Sequence, residues 1–147
     1  MNLNSPILIV EDSDEDYEVT SWALRQAGVK RPIVRAARSS DALRILFPQP
    51  LEPVGSDRTP CLVLLDLNLP GNDGRYLLGE IRQAAQPPAI PIVILSTSNN
   101  PRDIEICYKL GAAGFINKPM SLDLYAEKMR LMVQYWFNTV TLLDDRL

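Results

Sequence analysis

Three runs of the chain are apolar at every position: Ile7-Leu8-Ile9-Val10, Leu62-Val63-Leu64-Leu65 and Ile92-Val93-Ile94-Leu95. A strand without polar alternation is buried on both faces, which predicts the interior of a parallel sheet covered by helices. Ile33-Val34-Arg35-Ala36 and Gly114-Phe115-Ile116-Asn117 are weaker runs that fit edge strands. Helical spacing fills the intervals. Residues 14–27 place Val19, Trp22, Ala23 and Ala27 on one face and close at Gly28, a candidate C-cap. Residues 40–47 carry Ala42, Leu43, Leu46 and Phe47, residues 75–85 also read as a helix, and residues 102–110 form another that ends at Gly111. The alternation predicts a doubly wound α/β fold with five parallel strands.

Two segments break the rhythm. Residues 48–60 hold four prolines and a glycine, so an extended surface loop is expected before the third strand. The stretch 121–147 is longer than a closing helix needs. Within it Leu122, Tyr125, Met129, Met132, Trp136 and Val140 recur at helical spacing, while Leu124, Tyr135 and Phe137 spread apolar character around the circumference. A helix packed on one sheet face needs a single apolar stripe. The surplus suggests a second buried surface, with Tyr125, Met129, Met132 and Trp136 as the dimer or partner face. A longer helix folded over its own core is the alternative. Asn138-Thr139-Val140-Thr141 is a poor helix former, so the helix is expected to end there. The whole reads as a single domain over 1–147, with a core of about 5–130, a C-terminal helical extension of about 131–147 and no output domain.

Composition narrows the chemistry. The chain has 147 residues and no histidine, which excludes a Ser-His-Asp triad, a Cys-His pair, a His-ligated zinc or haem site and a phosphohistidine carrier. Fifteen Lys+Arg against eighteen Asp+Glu argue against a nucleic-acid surface. The six basic residues within 25–46 read as a solvated face, so no DNA binding is expected. Cys61 and Cys107 are isolated, and no leader or membrane span is evident, so reduced thiols in a cytoplasm are the default. Cys107 and Tyr108 read as packing residues.

In an open parallel sheet, ligands bind outside the carboxyl ends of the strands. Glu11 and Asp12 follow the first run, Asp66 the third, Ser96 and Thr97 the fourth, and Lys118 and Pro119 the fifth. Three carboxylates at one rim repel one another unless a cation neutralises them, and hard oxygen donors without His or Cys suit Mg²⁺. A metal on one side, with an ammonium and a hydroxyl on the other, can hold a phosphoryl group. A carboxylate between them can act as nucleophile. Asp66, in the middle, is the candidate acceptor.

These residues resemble the receiver domain of two-component response regulators. The matching motifs are Ile9-Val10-Glu11-Asp12, the block Leu65-Asp66-Leu67-Asn68-Leu69-Pro70 with Gly71-Asn72-Asp73-Gly74, Leu95-Ser96-Thr97, and Phe115-Ile116-Asn117-Lys118-Pro119. The resemblance implies a flavodoxin-like receiver fold with strand order 2-1-3-4-5. It implies phosphorylation of Asp66 by a sensor histidine kinase, with Mg²⁺ as cofactor and Mn²⁺ or Ca²⁺ able to substitute. Asp12, Asp66 and the backbone carbonyl of Asn68 would be the metal ligands, with Glu11 acting directly or through water. Ser96 and Lys118 would bind phosphoryl oxygens, Phe115 would change rotamer on activation, and the Lys118–Pro119 bond would be cis. Thr97 would slow water access to the acyl phosphate.

The Pro-rich loop, the Leu-Asp-Leu-Asn-Leu-Pro block and the aromatic tail Tyr135-Trp136-Phe137 are similar to the small response regulators that serve cyanobacterial phytochromes. That similarity implies a phytochrome-type kinase as partner and a homodimer through helix 4, strand 5 and helix 5, with output by protein contact. Each element alone has a blander reading. The six acids from Glu11 to Glu18 could be a solvated helix start, Asp66 a helix cap, and Asn72-Asp73-Gly74 a turn. Two other functions compete with the receiver. One is a Mg²⁺-dependent aspartate-nucleophile phosphatase, which would need a working acid at Asp14. The other is a degenerate receiver acting as a constitutive binding module.

Overall fold

The computed structural model describes residues 5–48 and 59–143. The elements follow as β1 (Ile7–Val10), α1 (Asp14–Gln26), β2 (Ile33–Ala36), α2 (Ser39–Leu46), β3 (Leu62–Asp66), α3 (Asp73–Gln83), β4 (Ile92–Ser96), α4 (Pro101–Lys109), β5 (Gly114–Asn117) and α5 (Leu122–Gln134). The five strands pair in parallel in the order β2-β1-β3-β4-β5. The three uninterrupted apolar runs are the three central strands, buried at every position, and the two weaker runs are the edges. Most of the loop 48–60 and the end of the C-terminal extension lie outside the described residues.

Alternate strand residues feed two cores. Leu8, Val10, Val63, Leu65 and Ile94 pack with α2, α3 and α4. Ile7, Ile9, Leu62, Leu64, Val93 and Leu95 pack with α1 and α5. Cys107 lies in the first core and Cys61 in the second, so the sheet separates the two buried thiols. Among the described residues, no helix is long and apolar enough to cross a membrane.

Local capping explains where the helices begin. Ser13 caps α1 by accepting the N–H of Asp16 at 3.2 Å, and three acids in the first turn meet the positive end of the helix dipole. Asn100 caps α4 by accepting from Arg102, with Pro101 at the first helical position. Asp73 works across the fold: its carboxylate accepts both the N–H and the hydroxyl of Ser39 at the start of α2.

Several expectations need correction. In α1 the buried stripe is Thr20, Ala23 and Leu24, and Trp22 lies on the exposed side because the stripe is rotated by about one residue. Tyr125, Met129 and Met132 are not a partner face: they are buried against the molecule's own sheet, and Trp136 is packed beside them. The alternative of a longer helix folded over its own core accounts for these four. Beyond α5 the chain makes one π-turn over Tyr135–Thr139 and then extends at Val140, as the poor helix formers suggested. Phe137 lies over the guanidinium of Arg31, 4.5 Å from its ring centroid, and Leu142 folds back into the core. Tyr108 is exposed on α4 and does not pack as expected. The Lys118–Pro119 peptide is trans, not cis. Trans is the lower form of an X–Pro bond by about 0.5–1 kcal/mol, and the contacts of Lys118, its N–H to the Ser96 carbonyl at 2.7 Å and its ammonium to the strand-end acids, are made ahead of that bond.

Candidate functional site

The carboxyl ends of the strands converge on one buried pocket. Glu11 leaves β1, Asp66 is the last residue of β3, and Lys118 follows β5. Glu11 is 2% exposed and Asp66 3%. The Lys118 ammonium donates to Asp66 Oδ2 at 2.6 Å and to Glu11 Oε1 at 3.3 Å. The second oxygen of Asp66 accepts the N–H of Asn68 at 2.7 Å, and the second oxygen of Glu11 accepts the N–H of Ser13 at 3.2 Å. Every carboxylate oxygen of the pair is therefore fixed in direction.

Two buried carboxyls and one ammonium cannot all be charged without cost. Burial, reinforced by a hydrogen bond to Asp66 and by its charge, pushes the Glu11 carboxyl up to about 8, against the pull of Lys118. Burial also opposes ionisation of Asp66, but hydrogen bonds from Glu11 and Lys118, the Lys118 charge and the Asn68 N–H outweigh it and hold that carboxyl below its usual range. Burial likewise works against the Lys118 ammonium, and Asp66 and Glu11 more than offset it, raising its pKa. These shifts favour an ionised Asp66, a protonated Glu11 and a charged Lys118 in the metal-free pocket. The nucleophile-competent carboxylate is the central one.

The donor set suits a hard divalent cation. Ligand oxygens of Glu11, Asp16 and Asp66 all lie within 4.8 Å of one another. Together they form an all-oxygen cluster whose two buried members repel each other when both are ionised. Asp12, expected from the sequence to be a direct ligand, is exposed and is not among these three. Asp16, also exposed, comes within reach of the two buried acids because the Ser13 cap starts α1 so that its first turn brings an acid back toward the pocket. Sequence reasoning passed over Asp16, although an acid three residues after a serine N-cap is a readable sign of that geometry.

The rim is built by the neighbouring loops. Ser96 ends β4 fully buried, and its hydroxyl accepts the N–H of Ser98 at 3.0 Å. Asn68 donates its side-chain amide to the exposed hydroxyl of Thr97 at 3.0 Å, tying the loop after β3 to the loop after β4. Phe115 is half-buried against the core beneath α4. Gly74 lets α3 start against the acceptor strand: a Cβ there would meet the Asp66 carbonyl oxygen at 3.0 Å and Leu67 Cα at 3.1 Å. Asp14, which an aspartate-nucleophile phosphatase would need, is exposed and ion-paired with Arg35 at 2.7 Å.

Fold and site together define a doubly wound α/β domain that holds an ionised carboxylate against an ammonium at the carboxyl edge of its sheet. The chain belongs to the response regulator receiver domain family, whose model matches residues 7–130. It is 35% identical over 136 residues to response regulator Rcp1 of Synechocystis sp., covering 92% of this chain and 91% of that protein. The Mn²⁺-bound form of Rcp1 superposes with a TM-score of 0.78 at 32% identity, covering 94% of this chain and 98% of the other. The phosphorylated cyanobacterial phytochrome response regulator RcpA gives 0.79 at 32% identity, with 94% and 97% covered. Response regulator RPA3017, in red light signaling of R. palustris, gives 0.85 at 27% identity, also with 94% and 97% covered.

Proposed function

We propose that this protein is a cytoplasmic response regulator that is phosphorylated on Asp66 by a sensor histidine kinase of the phytochrome type and signals by protein contact. The observation that carries this reading is the buried Asp66 carboxylate, held by Lys118 at 2.6 Å and by the Asn68 N–H at 2.7 Å at the carboxyl edge of the sheet. An Asp66 oxygen attacks phosphorus, the P–N bond of the kinase phosphohistidine breaks, and the imidazole leaves with the electron pair. The depressed pKa keeps the nucleophile ionised. Lys118 and Ser96 receive the phosphoryl oxygens, and Phe115 answers the movement of Ser96.

Glu11 and Asp66, with the Asn68 carbonyl, would hold Mg²⁺, with Mn²⁺ or Ca²⁺ as substitutes, and Asp16 or Asp12 completes the acid set. The ion would supply neutralisation of the charge gathered on the carboxylates and the phosphoryl oxygens. That Rcp1 has a Mn²⁺-bound form and RcpA a phosphorylated one supports both halves of this reading. The protein itself is a phosphoacceptor and not an enzyme acting on other molecules.

Output runs through the side formed by α4, β5 and α5, where a second copy docks. Tyr108 on α4, Leu122, Leu124 and Leu131 on α5, Met120 in the loop between β5 and α5 and Tyr135 just after α5 are large apolar residues exposed there. Phosphotransfer from a purified, radiolabelled phytochrome-type histidine kinase tests the reading. Label is expected to move to this chain within minutes and to disappear with D66N. Label that stays on every kinase tried, or that moves equally well to D66N, would overturn it.

A further inference from the structure

Ser98, in the loop between β4 and α4, has every polar group committed. Its N–H donates to the Ser96 hydroxyl at 3.0 Å. Its own hydroxyl donates to Asp103 at 2.7 Å and accepts the Asn100 N–H at 3.1 Å. Its carbonyl accepts the side-chain amide of Asn117, at the end of β5, at 2.9 Å. The chain of contacts continues from there. The other oxygen of Asp103, on α4, is ion-paired with Arg75 of α3, and the Asn117 carbonyl accepts the ammonium of Lys128 on α5 at 2.8 Å. One small residue therefore joins the strand-end hydroxyl next to the acceptor to three helices and the edge strand.

A phosphoryl group on Asp66 would draw the Ser96 hydroxyl toward it, and Ser98 registers either outcome. If Ser96 leaves, the Ser98 N–H loses its acceptor, and the loop relaxes to find another. If Ser98 follows, its bonds to Asp103 and Asn117 lengthen, and α4 shifts against the Arg75 anchor on α3. We propose that Ser98 is a positioning residue: it fixes the Ser96 hydroxyl while the acceptor is unmodified and passes the modified state to α3 and α4 through the Asp103–Arg75 pair. This rests on Asp66 being the phosphoacceptor.

The test is amide NMR of the full chain with Mg²⁺ and beryllofluoride, which mimics an acyl phosphate. In the wild type, signals are expected to shift both at Asn68, beside the acceptor, and at Arg75 and Asp103, remote from it. In S98A the Asn68 shift stays, while the Arg75 and Asp103 shifts fall below about half their wild-type size. S98T, which keeps the hydroxyl, restores them. R75Q keeps the Asp103 shift and loses that of α3, so the link is tested from its far end should S98A not fold. Unchanged Arg75 and Asp103 shifts in S98A, with a normal Asn68 shift, overturn the role of Ser98 alone. No shift at Asn68 in the wild type overturns the acceptor reading, and the role of Ser98 with it.

Discussion

The Lys118 ammonium stands 2.6 Å from one oxygen of Asp66, and both groups are nearly sealed from solvent, with side chains 13% and 4% exposed. The same ammonium lies 3.3 Å from Glu11, so one positive charge serves two buried acids. Removing one partner of a buried pair leaves uncompensated charge and is strongly destabilising.

K118M, which keeps the stem and removes the charge, is therefore expected to destabilise the metal-free protein by about 3–5 kcal/mol. Part of that loss should return when millimolar Mg²⁺ supplies the missing positive charge. Chemical denaturation in EDTA and in Mg²⁺ reads both effects. A loss of equal size in the two buffers would mean that the cation does not bind beside Asp66.

Glu11 gives the metal-free protein an unusual pH dependence. Its carboxyl is raised from 4.5 to about 8 on folding, so across that window the folded state holds a proton that the unfolded chain has released. Stability is thus fully present below the lower value and falls as pH rises through the window, by up to about 1.4 kcal/mol per pH unit. The depressed Asp66 titrates below this window and the raised Lys118 above it, and there is no histidine to titrate within it. Urea midpoints in EDTA should therefore drop between pH 6 and pH 8 in the wild type and stay nearly level in E11Q. An equal drop in both would remove Glu11 as the cause.

Two glycines on α3 should respond in opposite directions. At Gly74 a Cβ would press on the backbone of Asp66 and Leu67, which cannot swing away, so G74A is expected to cost about 1–3 kcal/mol and to displace the acceptor. At Gly79 nothing lies within 4 Å, so G79A should add helix propensity and stabilise by about 0.5–1 kcal/mol. Thermal unfolding of the two variants side by side checks both signs.

Self-association is best probed with residues on the surface. Leu131 is 51% exposed on α5, so L131E should shift the light-scattering mass toward the monomer while leaving the unfolding midpoint within about 0.5 kcal/mol of wild type. Met129 is fully buried, and M129A should cost about 2–5 kcal/mol whatever the oligomeric state. Cutting the chain before Leu131 is a poor test, because Met132, Val133 and Leu142 belong to the core. An unchanged mass for L131E would place any dimer contact elsewhere.

The sheet and most of the pocket were legible in the sequence because both follow from runs of local pattern. The three apolar runs mark strands covered on both faces, and the acids and lysine just after them stand at the carboxyl edge of any parallel sheet. What sequence misjudged depends on rotation and on the exact path of a turn. Helical spacing shows that Tyr125, Met129, Met132 and Trp136 share a side, but not which side meets the sheet. Trp22 failed for the same reason, since one residue of rotation moves a helix position by about 100°. The approach of Asp16 to Glu11 and Asp66 depends on how the chain enters α1 at the Ser13 cap, which residue spacing alone does not give. The bond from the Asn117 amide to the Ser98 carbonyl and the ion pair between Asp103 and Arg75 join residues far apart in the chain, so no local pattern announces them.

The most direct measurement is the intact mass of the protein after incubation with acetyl phosphate and Mg²⁺, for wild type and D66N in parallel. The expected result is the gain of one phosphoryl group in the wild type, lost on adding EDTA before the phosphodonor, and none in D66N. A wild type that gains no mass, or a D66N variant that gains the same mass, would contradict the assignment of Asp66 as the phosphoacceptor.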